Sequence, residues 1–232
     1  MTELSPAIEE GLRVQRRLLE QAIAAGEVQA GWKVGFGSPS GLALLGLDGP
    51  IIGHLLSSGE FANASTVSID GWTRPVIEAE IAVWIGSDIP AGTGPDAIGA
   101  YVRALGPAIE LADLDHSPED VTRILAGNIF HRSYLLGEAD EAVSLEEAGR
   151  LNAVFEHGEE RIDVAEPSAL TGDLAAVLAR TAALAPSLGR DLRAGDVVLM
   201  GSIIVPRPVS PGDACRYRLA GFPSLSVNFA AS

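Results

Sequence analysis

The sequence predicts an α+β fold built as one main domain, and three observations lead to this prediction. Strand-like stretches outnumber helix-like ones along the 232 residues. The helical stretches do not alternate regularly with the strands, which disfavours a doubly wound parallel sheet. No linker, repeat or low-complexity segment stands out in the sequence. We therefore expect an N-terminal helical segment at residues 1–28 and one domain over residues 29–232.

The first predicted element is an amphipathic helix over residues 6–25. Gly26 follows it and is a natural residue to end a helix. The residues of its buried stripe recur at helical spacing. They are Ile8, Leu12, Gln15, Leu19 and Ile23.

Stretches rich in β-branched residues and bounded by Gly or Pro predict the strands. These strands cover residues 29–36, 64–69, 75–86, 107–111, 133–137, 152–156, 161–164, 196–201, 214–219 and 225–229. The turn residues between 152–156 and 161–164 predict that these two strands form a hairpin. Three further helices are predicted: one over residues 97–105, one that starts at residues 117–120 and one over residues 173–184. A brief helical turn is expected around residues 43–45.

Charge and composition limit the classes of function. A net charge of −15 disfavours nucleic acids and anionic membranes as partners, and an anionic substrate would need a local cation. No apolar run has the length of a transmembrane helix, and the first residues lack a signal-peptide pattern. The single cysteine, Cys215, excludes an internal disulfide and is more typical of a packed residue than of a nucleophile. We therefore expect a cytoplasmic protein.

Two carboxylates stand inside the most apolar predicted strand. Side chains alternate along a strand, so Glu78 and Glu80 point to the same face, with Cα atoms roughly 6.5 Å apart. Two like charges in a half-buried setting repel each other and lose solvation. A divalent cation would cancel both penalties. The alternative is that this face meets water and the two glutamates are solvated.

A third acid, Glu110, also lies in an apolar strand. Three such acids without a histidine cluster predict an all-oxygen site that suits Mg²⁺ or Mn²⁺ rather than zinc. For Glu110 alone, a salt bridge to an arginine is the alternative.

Lys33 is the only lysine of the chain, and it lies in another apolar strand. A lysine in this position is costly unless it pairs with an acid or binds an anionic ligand. The alternative is a lysine whose stem packs at a strand end while its ammonium group reaches water.

Other polar residues give weaker signals. Asp48 stands in a Gly/Pro turn, where an aspartate usually serves turn geometry. The four histidines lack the spacing of metal ligands, and only His131, close to Asn128, is kept as a site candidate. The Gly-rich stretch at residues 35–41 does not match the spacing of a dinucleotide-binding loop.

Several motifs resemble, in order, those of one family. They are Gly-Trp-Lys-Val-Gly at 31–35, Leu-Gly-Leu-Asp-Gly-Pro-Ile-Ile-Gly at 45–53, Arg-Pro-Val-Ile-Glu-Ala-Glu at 74–80, Pro-Ala-Ile-Glu at 107–110, Gly-Asn at 127–128, Leu-Arg-Ala-Gly-Asp-Val-Val-Leu-Met-Gly at 192–201 and Pro-Gly-Asp at 211–213. Over residues 29–229 the chain resembles the 2-keto-4-pentenoate hydratase / 4-oxalocrotonate decarboxylase family, part of the fumarylacetoacetate hydrolase-like superfamily.

The resemblance implies a mixed β-roll of the fumarylacetoacetate hydrolase C-terminal type with peripheral helices, usually assembled as a homo-oligomer. It implies that three glutamates bind Mg²⁺ or Mn²⁺, and that other residues face a small 2-oxo or 2-hydroxydienoic acid. The expected metal ligands are Glu78, Glu80 and Glu110. Lys33 and Asp48 are the expected charge partner and proton-transfer group, and Ser38, Asn128 and Ser202 are expected near substrate with Lys33.

The chain departs from the family pattern on the substrate side. Phe36 and Gly37 precede Ser38 where small hydroxyl residues are frequent, and Ile129 and Phe130 follow Asn128 where the family has Ala-Ser. The metal motifs are kept, so these departures concern the part of the pocket that would hold the substrate tail.

The predicted function is a metal-dependent lyase of aromatic catabolism that hydrates 2-hydroxypenta-2,4-dienoate-type acids to 4-hydroxy-2-oxo acids. Three alternatives stay open. The first is a 2-oxo-3-hexenedioate (4-oxalocrotonate) decarboxylase, and the second is a C–C hydrolase of acylpyruvates, disfavoured because residues 36–47 contain no histidine. The third is a non-catalytic subunit that associates with a related decarboxylase or hydratase.

Overall fold

The computed structural model of the protein describes residues 5–90, 92–117 and 119–231, and the strands of that part form two sheets. The strands are β1 (Gln29–Gly35), β2 (Ile51–Leu56), β3 (Glu60–Phe61), β4 (Thr66–Ser68), β5 (Pro75–Ile85), β6 (Val102–Asp113), β7 (His131–Leu136), β8 (Ala153–His157), β9 (Glu160–Val164), β10 (Val197–Ser202), β11 (Arg207–Pro208), β12 (Ala214–Leu219) and β13 (Leu225–Ala230).

Helices lie around these sheets. They are α1 (Pro6–Ala24), α2 (Pro39–Leu45), α3 (Pro95–Ile98), α4 (Val121–Ala126), α5 (Leu145–Ala148), α6 (Ser168–Thr171) and α7 (Leu174–Leu184). None of the helices in the described ranges is long and apolar enough to cross a bilayer.

The larger sheet has eight strands, in the order β2-β1-β10-β5-β6-β7-β3, and β11 pairs with β5. Its centre is the long antiparallel pair β5–β6, whose register runs from Pro75 opposite Asp113 to Ile85 opposite Val102. One face of β5 packs into the main hydrophobic core. The other face carries a second buried cluster that includes Ala82. Polar side chains on this second face therefore lie in a poorly hydrated environment.

Parallel pairing brings an early strand to the centre of this sheet. β1 runs parallel to β10, with Lys33 opposite Leu199. A parallel pair needs a crossover connection, and here most of the chain lies between the two strands. The crossover places Lys33 two strands away from the glutamates of β5. The smaller sheet has the order β4-β13-β12-β8-β9.

The N-terminal helix is packed onto the rest of the chain. Ile8 and Leu12 of α1 join the main core, and Gln15 and Leu19 are also buried. Gly11 lies so close to α4 that an added Cβ would stand 2.7 Å from Leu125 Cβ. The predicted domain boundary at residue 28 stays a prediction.

Most predicted elements match the structure, and the α+β class is confirmed. The predicted hairpin is confirmed as the β8–β9 pair. The predicted helix over residues 97–105 is wrong, because the helical part ends at Ile98 and a single 3₁₀ turn follows. Val102 then begins β6 by pairing with Ile85, so the long β5–β6 ladder takes the residues that local propensity assigned to a helix.

Candidate metal centre

The three predicted metal ligands lie together on β5 and β6. Glu78 and Glu110 are direct partners in the antiparallel register. Glu80 lies two residues further along β5, on the same face as Glu78. One carboxylate oxygen from each of the three lies within 4.8 Å of the others. Among the described residues this is the cluster of acidic, histidine or cysteine side chains that could bind a metal ion.

Two of the three carboxylates are fully buried and incompletely satisfied, while Glu78 is partly buried. Glu80 and Glu110 have no solvent exposure. Glu80 Oε1 and Glu110 Oε2 accept no hydrogen bond from any described residue. Buried polar atoms normally find a partner, so two unpartnered carboxylate oxygens in one cluster fit a hard cation. The donor set of three carboxylates suits Mg²⁺ or Mn²⁺.

A bulge in β10 supplies one contact to this cluster. The register between β10 and β5 shifts between Leu199 and Ser202, and Gly201 adopts a φ of +96° that favours glycine. In this conformation the Gly201 N–H donates to Glu80 Oε2 at 2.9 Å. The bulge therefore orients one oxygen of Glu80 and leaves the other for the cluster.

Without a cation, the electrostatics of the cluster oppose full ionisation. Burial, and then the neighbouring Glu110, raises the pKa of Glu78 to about 7. Burial, with Glu110 and Glu78, raises the pKa of Glu80 well above its usual range. Burial also opposes the charge on Glu110, but Lys33 and His131 outweigh it and lower the pKa of Glu110 to about 2. A bound divalent cation would favour the ionised form of all three.

Lys33 lies within this cluster. Its Nζ is 2.9 Å from Glu110 Oε1, and only 3% of the side chain is exposed. Burial opposes the ammonium charge, but the three carboxylates, with Glu110 first, raise the pKa of Lys33. Lys33 therefore has an acidic partner, which is one of the two arrangements expected for a lysine in an apolar strand. The salt bridge of Glu110 is made with this lysine and not with an arginine.

His131 completes the surroundings of Glu110. Its Nδ1 lies 2.9 Å from Glu110 Oε1, the same oxygen that Lys33 contacts. The contact depends on a register shift between β6 and β7 that follows Leu111. The sequence singled out His131 for its closeness to Asn128, whereas the described contact is with Glu110.

A strained segment covers this end of the site. Asn128, Ile129 and Phe130 all have φ between 53° and 64°, which is costly for three consecutive non-glycine residues. The carbonyl of Ile129 accepts from Lys33 Nζ at 3.4 Å. Gly35 permits the approach, since an added Cβ there would stand 2.5 Å from Ile129 Cγ2.

Asn128 holds this segment in place. Its Oδ1 accepts from the His54 N–H at 2.8 Å, and its Nδ2 donates to the His54 carbonyl at 2.9 Å. Oδ1 also accepts from Gln15 Nε2 of α1 at 2.8 Å. Asn128 is absent from the lining of the cavity described below, so a substrate contact would require these bonds to open. Only the position of Gln15 in the predicted buried stripe points to a contact of this residue.

A cavity of about 520 Å³ opens from the cluster toward the surface. Lys33 and Glu78 line its inner end, together with Ser202. The hydroxyl of Ser202 donates to the Ile204 carbonyl at 2.8 Å. Ser38 also lines the cavity, where it caps α2 by accepting from the Gly41 N–H. The predicted Lys33, Ser38 and Ser202 therefore share one cavity.

Asp48 is placed elsewhere. Its Oδ1 accepts from Arg180 Nη2 of α7 at 2.8 Å, and Asp48 does not line the cavity. Arg180 also donates to the Pro50 carbonyl at 2.8 Å, so it fixes the turn that contains Asp48. A proton-transfer role for Asp48 stays a prediction. Cys215 is buried, and burial raises the pKa of its thiol to about 12, as expected for a packed residue.

Comparison with known proteins identifies the family. The fumarylacetoacetate (FAA) hydrolase C-terminal family matches residues 55–230, which is more than half of the chain. The chain belongs to this family. A 4-oxalocrotonate decarboxylase of a Pseudomonas species is 24% identical over 95% of this chain and 86% of its own length. The TodF product hydratase of Pseudomonas putida is 29% identical over 96% of this chain and 84% of its own length.

The same conclusion follows from solved structures. The 4-oxalocrotonate decarboxylase of Pseudomonas putida G7, complexed with magnesium and adipate, superimposes with a TM-score of 0.86 at 26% identity. The match covers 94% of this chain and 84% of that one. The predicted resemblance is therefore confirmed. The relatives are hydratase and decarboxylase enzymes, and the expectation of a lyase-type enzyme is confirmed with it.

Proposed function

We propose that the protein is a divalent-metal-dependent lyase of aromatic catabolism that hydrates 2-hydroxypenta-2,4-dienoate-type acids to 4-hydroxy-2-oxo acids. The observation that carries the proposal is the cluster of Glu78, Glu80 and Glu110, with two buried oxygens that accept no hydrogen bond from the described residues. These three side chains would hold Mg²⁺ or Mn²⁺. The magnesium bound to the related decarboxylase supports a divalent cation for this chain.

A cation held by the three glutamates would act as a Lewis acid that stabilises negative charge on the C2 oxygen of the acid. Lys33 lines the inner end of the cavity and is held protonated by its acidic neighbours. Its ammonium group would balance the incoming carboxylate and keep a proton at Nζ close to the reacting atoms. Ser202 and Ser38 offer hydroxyl groups along the same cavity. The apolar walls would exclude bulk water from the reacting carbons.

Two of the predicted site residues could act only if they break the hydrogen bonds that now hold them. Asn128 could contact substrate only by opening its bonds to His54 and Gln15. Asp48 could transfer a proton only by leaving Arg180. Both stay in the proposal as candidates. A kcat that falls in Asp48→Asn but not in Arg180→Gln would assign the proton transfer to Asp48, because both variants break the same ion pair.

The second candidate is decarboxylation of 2-oxo-3-hexenedioate. It is favoured by the superposition on a 4-oxalocrotonate decarboxylase with a TM-score of 0.86. The two reactions share the electron sink at C2, so the metal ligands do not separate them. A homo-oligomer, or an association with a related hydratase or decarboxylase, remains part of the proposal.

One experiment tests the proposal. Purified protein is incubated with 2-hydroxypenta-2,4-dienoate or 2-oxo-3-hexenedioate, with Mg²⁺ or with a chelator, while dienoate absorbance and CO₂ release are followed. We expect Mg²⁺-dependent loss of the dienoate without CO₂. Release of CO₂ from the hexenedioate would identify the decarboxylase, and activity that persists in chelator would contradict the metal mechanism.

A further inference from the structure

Beyond Lys33 and Glu78, the cavity lining is mostly apolar and carries only neutral polar groups. Among its described lining residues, these two are the charged ones. The remaining walls are built mainly by large apolar side chains. They include Phe36, Leu114, Phe130, Leu170, Met200 and Ile204.

The hydroxyl groups of the lining do not replace a second cation. Thr171 Oγ1 donates to a backbone carbonyl, that of Gly172 at 3.1 Å or that of Pro167 at 3.4 Å. Ser38 Oγ accepts from the Gly41 N–H and lies 3.2 Å from Ser40 Oγ. These groups are neutral, so a carboxylate beside them would lose hydration without gaining a counter-charge.

The mouth of the cavity is apolar as well. Leu44 and Val205 line the cavity, and they are 49% and 68% exposed. The overall net charge of −15 adds long-range repulsion to any second negative charge at this mouth. The rim therefore favours an apolar group that covers these two side chains.

The size of the cavity also favours a ligand with an apolar tail. Pockets of about 300–1,000 Å³ enclose drug-sized ligands. The cavity volume of about 520 Å³ thus leaves most of the cavity unfilled when a five-carbon acid is bound at the inner end. The lining of the unfilled part is mostly apolar.

We infer that the cavity selects 2-oxo and 2-hydroxydienoic monocarboxylates with an apolar tail longer than that of the five-carbon acid, and that it rejects acids with a second carboxylate at the far end. The inference rests on the proposed function, because the shared carboxylate and C2 oxygen must be anchored beside Lys33 and Glu78. Phe36, Leu44, Phe130 and Val205 then determine the specificity for the tail.

A pair of non-reacting ligands tests the selection by calorimetry in the presence of Mg²⁺. 2-Oxohexanedioate and 6-methyl-2-oxoheptanoate share the anchoring end, and an isopropyl group replaces the far carboxylate. We expect the isopropyl compound to bind at least about tenfold more tightly, because an unpaired buried carboxylate is costly. In the series from 2-oxopentanoate to 2-oxoheptanoate, affinity should rise about fourfold per methylene. Equal or tighter binding of the dicarboxylate, or no binding of either compound, would overturn the inference.

A gain-of-charge variant tests the position of the tail. Val205→Arg places a cation at the rim and should shift the affinity ratio about threefold toward the dicarboxylate, a modest effect because the position is exposed. The matched control is Val28→Arg, at a valine that is 62% exposed and away from the cavity lining. The control should leave the ratio unchanged. An unchanged ratio in Val205→Arg would contradict this placement of the tail.

These readouts separate the inference from the proposed function. Binding does not require turnover, so the expected ratios together with failure of the dienoate assay would retain the selection and reject the lyase. Turnover of dienoates together with equal binding of both acids would retain the lyase and reject the selection.

Discussion

Gln15 Nε2 donates to Asn128 Oδ1 at 2.8 Å, and this bond joins the N-terminal helix to the strained segment that contacts Lys33. Asn128 binds the backbone of His54 at the same time. Helix α1 is therefore linked to the candidate metal centre through one side-chain amide.

The first prediction concerns this link. Gln15→Ala should lower the free energy of unfolding by about 1–3 kcal/mol, because a buried hydrogen bond and its packing are lost. It should also weaken 2-oxo acid binding, since the Ile129 carbonyl beside Lys33 depends on Asn128. Urea denaturation and calorimetry measure the two effects. The control Gln21→Ala, on the exposed face of α1, should change the unfolding free energy by less than about 0.5 kcal/mol.

The second prediction concerns the buried pair of Lys33 and Glu110. Lys33→Met leaves Glu110 with His131 as its partner and should destabilise the metal-free protein by about 3–5 kcal/mol. The double variant Lys33→Met/Glu110→Gln removes both charges and should recover most of that loss. Chemical denaturation in chelator is measured for the wild type, for each single variant and for the double variant, which together form a double-mutant cycle. If the two single losses simply add, the pair is not energetically coupled.

The third prediction separates metal binding from folding. Glu80→Gln removes a buried carboxylate whose pKa is raised, so the metal-free variant should be at least as stable as the wild type. At a Mg²⁺ concentration about one hundred times Kd, the wild type should gain about 2.7 kcal/mol and the variant should not. Thermal unfolding with and without Mg²⁺ measures this. Glu159→Gln, at an exposed glutamate in the β8–β9 turn, should keep the full Mg²⁺ response.

The fourth prediction concerns pH. Burial, with a smaller effect of His131, lowers the pKa of His54 to about 4 from its ordinary value of 6.5. The folded protein therefore binds fewer protons at His54 than the unfolded chain does. The resulting stability is present above pH 6.5 and is lost as pH falls toward 4, by about 3 kcal/mol in total. His54→Leu should flatten the fall of the unfolding free energy across this window. A slope that matches the wild type would contradict the assignment.

Much of the metal cluster could be predicted from the sequence, because it depends on local rules. Strand alternation places Glu78 and Glu80 on one face, and an acid in an apolar strand marks Glu110. The direct pairing of Glu78 with Glu110 depends on the register of β5 and β6, which the sequence does not specify by itself.

Other features depend on contacts between distant parts of the chain. Lys33 reaches Glu110 because the crossover brings β1 beside β10, and its salt-bridge partner could not be predicted from residue type. The bond between Gln15 and Asn128 joins residues 113 positions apart. The sequence predicts a helix over residues 97–105, but pairing with β5 makes residues 102–105 part of a strand.

The most direct test of the metal centre is an anomalous difference map from crystals grown in Mn²⁺. We predict one peak per chain, about 2.1–2.2 Å from one oxygen each of Glu78, Glu80 and Glu110. A peak elsewhere, or no peak while Lys33 and His131 remain the partners of Glu110, would contradict the central claim.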